Sequence, residues 1–361
     1  MVWITEGIGQ GPVDRTEVPT LRLGGGPADP GAPATSALQD RVVGVVLGAA
    51  VGDALGAPFE FAPGGTFSAR LPDRRPDGEG DMIGGGAFQW EPGEFTDDTQ
   101  MALALAESLL ACDGYEPDDV WCRWQVWART SSDVGNTTSA ALRHTTWRDV
   151  VHHDPARTAA NGTLMRAFPL AVATLGADVD AARDVTLHQA LLTHAHPAAA
   201  WGAWLGVAMM RTALVGGDPL QGLDVELATL AQRDPANADR YVTMLSPAWT
   251  PADGEREGVG NGSIWGCLAQ AVWALRRRDR LADVLTDVIE LGKDTDTVAC
   301  VAGAIAGARD GASAIPHGWT GPLHGVVDTP GGLERYDTVA LEELALRLWS
   351  AAGGGPGAGT T

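Results

Sequence analysis

Apolar residues recur along this chain at three- and four-residue spacing, broken by short polar segments rich in Gly, Pro and Asp. The run from Leu38 to Val51 is the first of these and reads as an apolar helix. A Gly/Pro-rich excursion from Pro63 to Gly93 is too polar to pack as a helix. Helical spacing returns from Asp97 to Cys112, with Glu107 on the outer face. Glu116-Pro117-Asp118-Asp119 carries the proline and acids of a helix first turn. The same pattern predicts helices over 117–129, 137–147, 164–174, 180–193, 198–214, 222–232, 263–277, 281–291, 297–308 and 339–350. Alternating strand patterns are nearly absent. The expectation is an all-α fold, one compact multi-helix domain over residues 38–350. Residues 1–37, with Gly24-Gly25-Gly26-Pro27 and Pro30-Gly31-Ala32-Pro33, lack periodicity and read as a disordered N-terminal arm. Residues 351–361 read as a disordered tail.

Composition agrees with helices. Aromatics make up 6% of the 361 residues and hydrophobic residues 45%, with Ala and Leu dominant. The formal charge of −21 argues against a phosphate-neutralising surface for nucleic acid. Arg276-Arg277-Arg278 stand together but read as a solvated helix end. Cys112, Cys122, Cys267 and Cys300 form no CxxC pair and sit among apolar residues, so they are expected to be buried free thiols. The N-terminus has no basic and apolar leader pattern, and no run reaches the roughly 18 uninterrupted apolar residues of a membrane span. These features predict a cytoplasmic monomer without a membrane segment.

Two acidic runs carry the chemistry: Thr96-Asp97-Asp98-Thr99 and Asp294-Thr295-Asp296-Thr297, each followed by an apolar helical stretch. Acids in a helix first turn are stabilised by the macrodipole, but capping needs only one oxygen-bearing residue and these runs supply four. Carboxylate and hydroxyl oxygens suit Mg²⁺, Mn²⁺ or Ca²⁺ rather than thiophilic metals. Gly52-Asp53-Ala54-Leu55-Gly56-Ala57-Pro58-Phe59-Glu60 adds two carboxylates, although a capping Asp explains Asp53 equally well. Ser132-Asp133-Val134-Gly135-Asn136-Thr137-Thr138 and Asn161-Gly162-Thr163-Leu164-Met165-Arg166 each open a helix. Such a turn can offer N–H groups to an anion or simply cap the helix. In Thr193-His194-Ala195-His196 a zinc pair lacks further ligands, so a hydrogen-bonding or substrate-contact role fits better. Lys293 is the only lysine and directly precedes the second acidic run; a bias against lysine and a cation beside the metal site both account for it.

In this order the motifs resemble the ADP-ribosylglycohydrolase family, over about Asp40 to Arg309. The resemblance implies an all-α domain holding two Mg²⁺ or Mn²⁺ ions. It also implies release of ADP-ribose by hydrolysis of an N- or O-glycosidic bond, the substrate being an ADP-ribosylated protein or small molecule. Carried onto this chain, the metal ligands are Thr96, Asp97, Asp98, Asp294, Asp296 and Thr297. Glu60 falls at a near-metal glutamate implicated in catalysis or gating, with Asp294 the other candidate base. His194 and the loops at Asp133, Gly135, Asn136 and at Asn161, Gly162, Thr163 fall on the substrate side. Three departures stand out: Ala160 where many members have Gly, Lys293 at a position often small or neutral, and no aromatic at Arg157-Thr158-Ala159 to stack adenine, for which Gly258–Trp265 is one candidate. The rival readings are a catalytically weak or inactive ADP-ribose-binding module and an isoprenoid-diphosphate enzyme. The intact ligand set opposes the first, and the absence of DDxxD spacing opposes the second.

Overall fold

Prolines and short polar caps cut the chain into helices almost throughout. A computed structural model describes residues 17–24 and 35–354. In chain order the helices are α1 (Thr35–Gly56), α2 (Thr66–Arg70), α3 (Asp97–Ala111), α4 (Pro117–Trp127), α5 (Asn136–Leu142) and α6 (Gly162–Met165). There follow α7 (Phe168–Ala173), α8 (Val179–Leu191), α9 (Pro197–Leu214), α10 (Pro219–Arg233), α11 (Pro235–Met244) and α12 (Pro251–Arg256). The last are α13 (Ile264–Arg277), α14 (Leu281–Ile289), α15 (Thr295–Asp310), α16 (His317–Thr320) and α17 (Thr338–Ala351). Proline opens α4, α9, α10, α11 and α12, where its missing N–H costs nothing. The side chains of Asp178, Asp218, Asp234, Ser263 and Asp337 accept first-turn N–H groups at the starts of five helices.

The all-α expectation holds, with several local differences: the short helix α2 falls inside the 63–93 excursion expected to hold no helix, and α11, α12 and α16 stand where none was expected. The helix expected over 164–174 is two helices, α6 and α7, with Pro169 in the first turn of the second. A hairpin that alternation did not reveal joins β1 (His324–Thr329) to β2 (Gly332–Asp337), antiparallel, with Thr329 opposite Gly332. β1 alternates in burial, but β2 is exposed except at Tyr336, so no two-residue pattern marks it. The strand braces the first acidic run, since Phe95 N–H donates to His324 O at 3.0 Å and His324 N–H to Gly93 O at 2.9 Å.

Most of the arm expected at 1–37, and of the tail, lies outside the described residues. The described part of the arm is docked: Leu21 and Leu23 are buried, and Leu23 N–H donates to Asp113 O at 3.2 Å. Cys267 and Cys300 are buried free thiols as expected, but Cys112 is half-buried and Cys122 exposed. α1 is long and apolar enough to cross a membrane by length and composition, yet its apolar stretch is wholly enclosed by protein.

α1 and α15 form the centre of the core. Gly44, Gly48, Gly52 and Gly56 recur every fourth residue, which puts them on one stripe of α1. That stripe lies directly on the backbone of α15. A Cβ at Gly52 would sit 2.1 Å from Ala299 O, and one at Gly56 only 2.6 Å from Asp296 Cα. Gly303 and Gly307 present the matching stripe from α15, against Gly48 and Gly44. No side chain can enter this seam without separating the helices.

Gly52→Ala is therefore expected to destabilise the protein by about 2 kcal/mol or more, the scale of overpacking a close-packed core. Gly135→Ala, where a Cβ would meet nothing within 4 Å, should change stability by less than about 0.5 kcal/mol. Urea unfolding of the two variants checks the contrast, and equal stabilities would refute the seam.

Candidate active site

The seam ends where the carboxylates begin. Asp53, in the last turn of α1, is fully buried and accepts four hydrogen bonds from the first acidic run. Thr96 N–H donates to both its oxygens at 3.0 Å, Thr99 N–H to Oδ2 at 3.1 Å and the Thr99 hydroxyl to Oδ2 at 2.6 Å. This fastens the start of α3 to the end of α1. The start of α15 is fastened to the same place, because the Thr295 hydroxyl donates to Gly56 O at 2.9 Å. The two acidic runs consequently meet: the hydroxyls of Thr96 and Thr297 both lie 3.4 Å from Asp98 Oδ2. Glu60 enters from the turn after α1, and single oxygens of Glu60, Asp133 and Asp296 lie within 4.8 Å of one another.

Asp294 is held from its other side. Asn161 Nδ2 donates to Asp294 Oδ2 at 2.9 Å and to Asn261 O at 3.0 Å. Asn261 Nδ2 in turn bonds Gln270 Oε1, Gly292 O and Asp294 O, while its Oδ1 accepts Asp294 N–H at 3.3 Å. The backbone beside Glu60 is tied to the backbone beside Asp294. Phe61 and Lys293 both take the left-handed conformation, with φ of 63° and 68°, uncommon for side chains of this size. Phe61 N–H donates to Lys293 O at 2.6 Å, and Lys293 N–H to Ala62 O at 2.8 Å.

Burial and mutual repulsion both raise the carboxyl pKa values here. Desolvation pushes Glu60 up to about 8, helped by Asp133, Asp294 and Asp53. Desolvation takes Asp133 to about 6, with Asp294 adding to it. Asp53 also reaches about 6, burial outweighing its four hydrogen bonds. Asp97, Asp98 and Asp296 are pushed well above the ordinary range by burial, then by their carboxylate neighbours. Glu60 Oε2 and Asp98 Oδ1 are buried without any hydrogen-bond partner. Buried polar atoms in native structures nearly always have partners, so two orphaned carboxylate oxygens in one acidic cluster mark a place made for positive charge. An all-oxygen donor set of this kind fits a hard divalent cation.

The expected substrate-side residues divide. Gly135 and Asn136 are exposed at the start of α5, and His194 faces Gly162, close to the cluster. Asp133 stands instead among the acidic ligand candidates, grouped with Glu60 and Asp296. Thr163 is fully buried and its hydroxyl donates to Ala199 O at 2.7 Å, so it presents nothing to a ligand. Asn161 divides its Nδ2 hydrogens between Asp294 Oδ2 and Asn261 O. Lys293 is exposed and pairs with Glu255 at 3.3 Å on the surface. In the stretch 258–265, Asn261 supports Asp294, and the Trp265 ring packs 5.4 Å from that of His196. Asn261 and Gln270 had not stood out in the sequence; the Gly260-Asn261-Gly262 triplet was the available signal.

An all-helical domain with a buried carboxylate cluster at the start of two helices defines a class of enzyme, and comparison with known proteins identifies it. The sequence profile of the ADP-ribosylglycohydrolase family matches residues 34–356. The chain belongs to this family of glycosidic-bond hydrolases, whose members cleave ADP-ribosyl linkages. It is 32% identical over 292 residues to the ADP-ribosyl-[dinitrogen reductase] glycohydrolase of Rhodospirillum rubrum, covering 79% of this chain and 91% of that one. It is 30% identical to the ADP-ribosylarginine hydrolase Tri1 of Pseudomonas putida, covering 78% and 73% of the two chains. A solved ADP-ribosylglycohydrolase-related protein complex superposes with a TM-score of 0.66 at 32% identity, covering 88% of this chain and 99% of that one.

Carboxyls whose pKa is raised by folding bind more protons folded than unfolded, so stability falls as pH rises between the two values. For Asp53, Asp133 and Glu60 that window runs from about 4 to about 8. In chelator the protein is expected to melt at a lower temperature at pH 8 than at pH 5, and added Mg²⁺ or Mn²⁺ should restore the loss at pH 8. Thermal melts across this range check it; a metal-independent melting temperature would refute cation binding.

Proposed function

We propose that this protein releases ADP-ribose from ADP-ribosylated proteins or small molecules by metal-dependent hydrolysis of the glycosidic bond. The observation that carries the reading is the pair of orphaned oxygens, Glu60 Oε2 and Asp98 Oδ1, inside a cluster of buried carboxylates. Thr96, Asp97, Asp98, Asp294, Asp296 and Thr297 would hold two Mg²⁺ or Mn²⁺ ions, with Asp133 close enough to assist. Bound divalent ions supply Lewis acidity and make a water nucleophilic near neutral pH.

The chain's own groups account for the remaining steps. Of the two candidate bases, Asp294 has Oδ2 committed to Asn161, whereas Glu60 has an oxygen with no partner. Glu60 is therefore the better proton carrier. With a pKa near 8 it holds a proton at neutral pH, and positive charge in the cluster would lower that value and free it to accept one from the attacking water. Asn161 and Asn261 keep Asp294 oriented. Gly135 and Asn136, exposed beside Asp133, suit the substrate's polar groups. Arginine-linked ADP-ribose is the first linkage to test, since the Tri1 relatives are named for it.

Asp296→Asn is expected to abolish ADP-ribose release, and Glu60→Gln to lower kcat by about 100-fold or more, the scale of a lost general base. Both should keep the helical circular-dichroism spectrum. Release from ADP-ribosylarginine is measured with Mg²⁺ or Mn²⁺ and with chelator. Binding of ADP-ribose without metal-dependent turnover of any ADP-ribosyl linkage would favour a binding module instead.

A further inference from the structure

His194 follows the end of α8, and its ring is almost wholly buried. Nδ1 lies 2.8 Å from Thr193 Oγ1. Nε2 is shielded from solvent and makes no hydrogen bond. Which nitrogen carries the proton decides whether this ring offers a ligand a donor or an acceptor.

The answer lies one residue back. Arg166, from the Asn161–Arg166 segment, is fully buried, and among the described residues no carboxylate pairs with it. Its Nε donates to Gln189 Oε1 at 3.0 Å, and its Nη2 donates to Gln189 O at 3.1 Å and to Thr193 Oγ1 at 2.9 Å. Its guanidinium carbon stands 4.0 Å from the centre of the Trp124 ring. Burial lowers its pKa to about 9, which leaves it charged at neutral pH. A guanidinium has only donors, so Thr193 Oγ1 accepts from it. Among the hydrogen bonds of the described residues, the Thr193 hydroxyl hydrogen then has one acceptor, His194 Nδ1. That nitrogen is left without a proton. Burial, with Arg166 and His152 nearby, holds the imidazole pKa well below its usual value, so the neutral ring keeps its single hydrogen on Nε2.

We propose that Arg166 and Thr193 are positioning residues that lock His194 as the Nε2–H tautomer, making it a fixed donor to an oxygen of the ADP-ribosyl group. The surroundings of Nε2 are small and polar. A Cβ at Gly162 would lie 3.6 Å from His194 Nε2 and 3.6 Å from Thr138 Oγ1, so the unpartnered nitrogen looks onto the Gly162 backbone with Thr138 beside it. The neighbouring Asn161 touches Asp294, which puts the donor beside the acidic centre. The ligand part of the inference rests on the hydrolase reading above; the tautomer does not.

Long-range ¹H–¹⁵N spectra of the full-length protein labelled at histidine, with His194→Asn for assignment, read the tautomer directly. The wild type should show Nε2 protonated and Nδ1 bare, and added ADP-ribose should shift the Nε2–H resonance. Thr193→Val should convert the ring at least partly to the other tautomer and raise KM about tenfold, the scale of one hydrogen bond, with kcat changed less than about twofold. Thr193→Ser should restore both, and it keeps the test open if the valine variant does not fold. A protonated Nδ1 in the wild type, or an unchanged tautomer in Thr193→Val, overturns the relay. A correct tautomer in a protein that neither binds nor hydrolyses ADP-ribosyl compounds overturns the functional reading alone.

Discussion

The close contact of α1 with α15 is the constraint on which everything else in this protein rests. Helices with ordinary side chains between them stand 8–10 Å apart, and their ends then have room to drift. Here glycine on both sides brings backbone against backbone, and the seam runs as far as Gly56 and Asp296. Because α1 carries Asp53 in its last turn and leads through a short turn to Glu60, fixing its register against α15 fixes the position of Asp53, Glu60, Asp294 and Asp296 together. Asp53 then orients the start of α3, and the second acidic run comes with α15 itself.

That arrangement works against the electrostatics of the folded state. Seven carboxyls converge in a region from which water is largely removed; burial raises the pKa of all seven, and neighbouring carboxylates raise Glu60, Asp97, Asp98, Asp133 and Asp296 further. A fold held together by weaker contacts would relieve the repulsion by opening. The seam and the Asp53 hydrogen bonds resist this, and Asn161 and Asn261 do the same for Asp294. The site is thus preorganised for positive charge by backbone packing some distance from it, as a rigid metal centre requires.

Much of this was legible in the sequence, and what was not has physical causes. The two acidic runs and Glu60 could be read because each run packs more oxygen into four residues than capping needs. The long helices could be read because their apolar spacing is regular. Asp133 was read as a substrate residue because its loop looks like a helix start; its place beside Glu60 and Asp296 depends on chain closure that no local pattern records. The role of Asn261 is hidden for the same reason, since its partners range from Asn161, 100 residues earlier, to Gly292 and Asp294, more than 30 residues later. The hairpin was missed because β2 buries only Tyr336. The division between α6 and α7 was signalled by Pro169 but outweighed by the apolar residues around it.

The paired backbone bonds between Phe61-Ala62 and Lys293 carry a consequence for how this centre can change, in evolution or in the hands of an engineer. They join the segment just after Glu60 to the residue before Asp294, so these two carboxylates sit on a single mechanical unit. A loop remodelled on one side to admit a bulkier acceptor would displace the carboxylate on the other. The exposed Gly135–Asn136 turn, which among the described residues has no such tie to the Asp294 side, can change with less effect on these carboxylates than the turn that follows Glu60. The lone lysine takes part in this linkage through its backbone, while its side chain pairs with Glu255 at the surface.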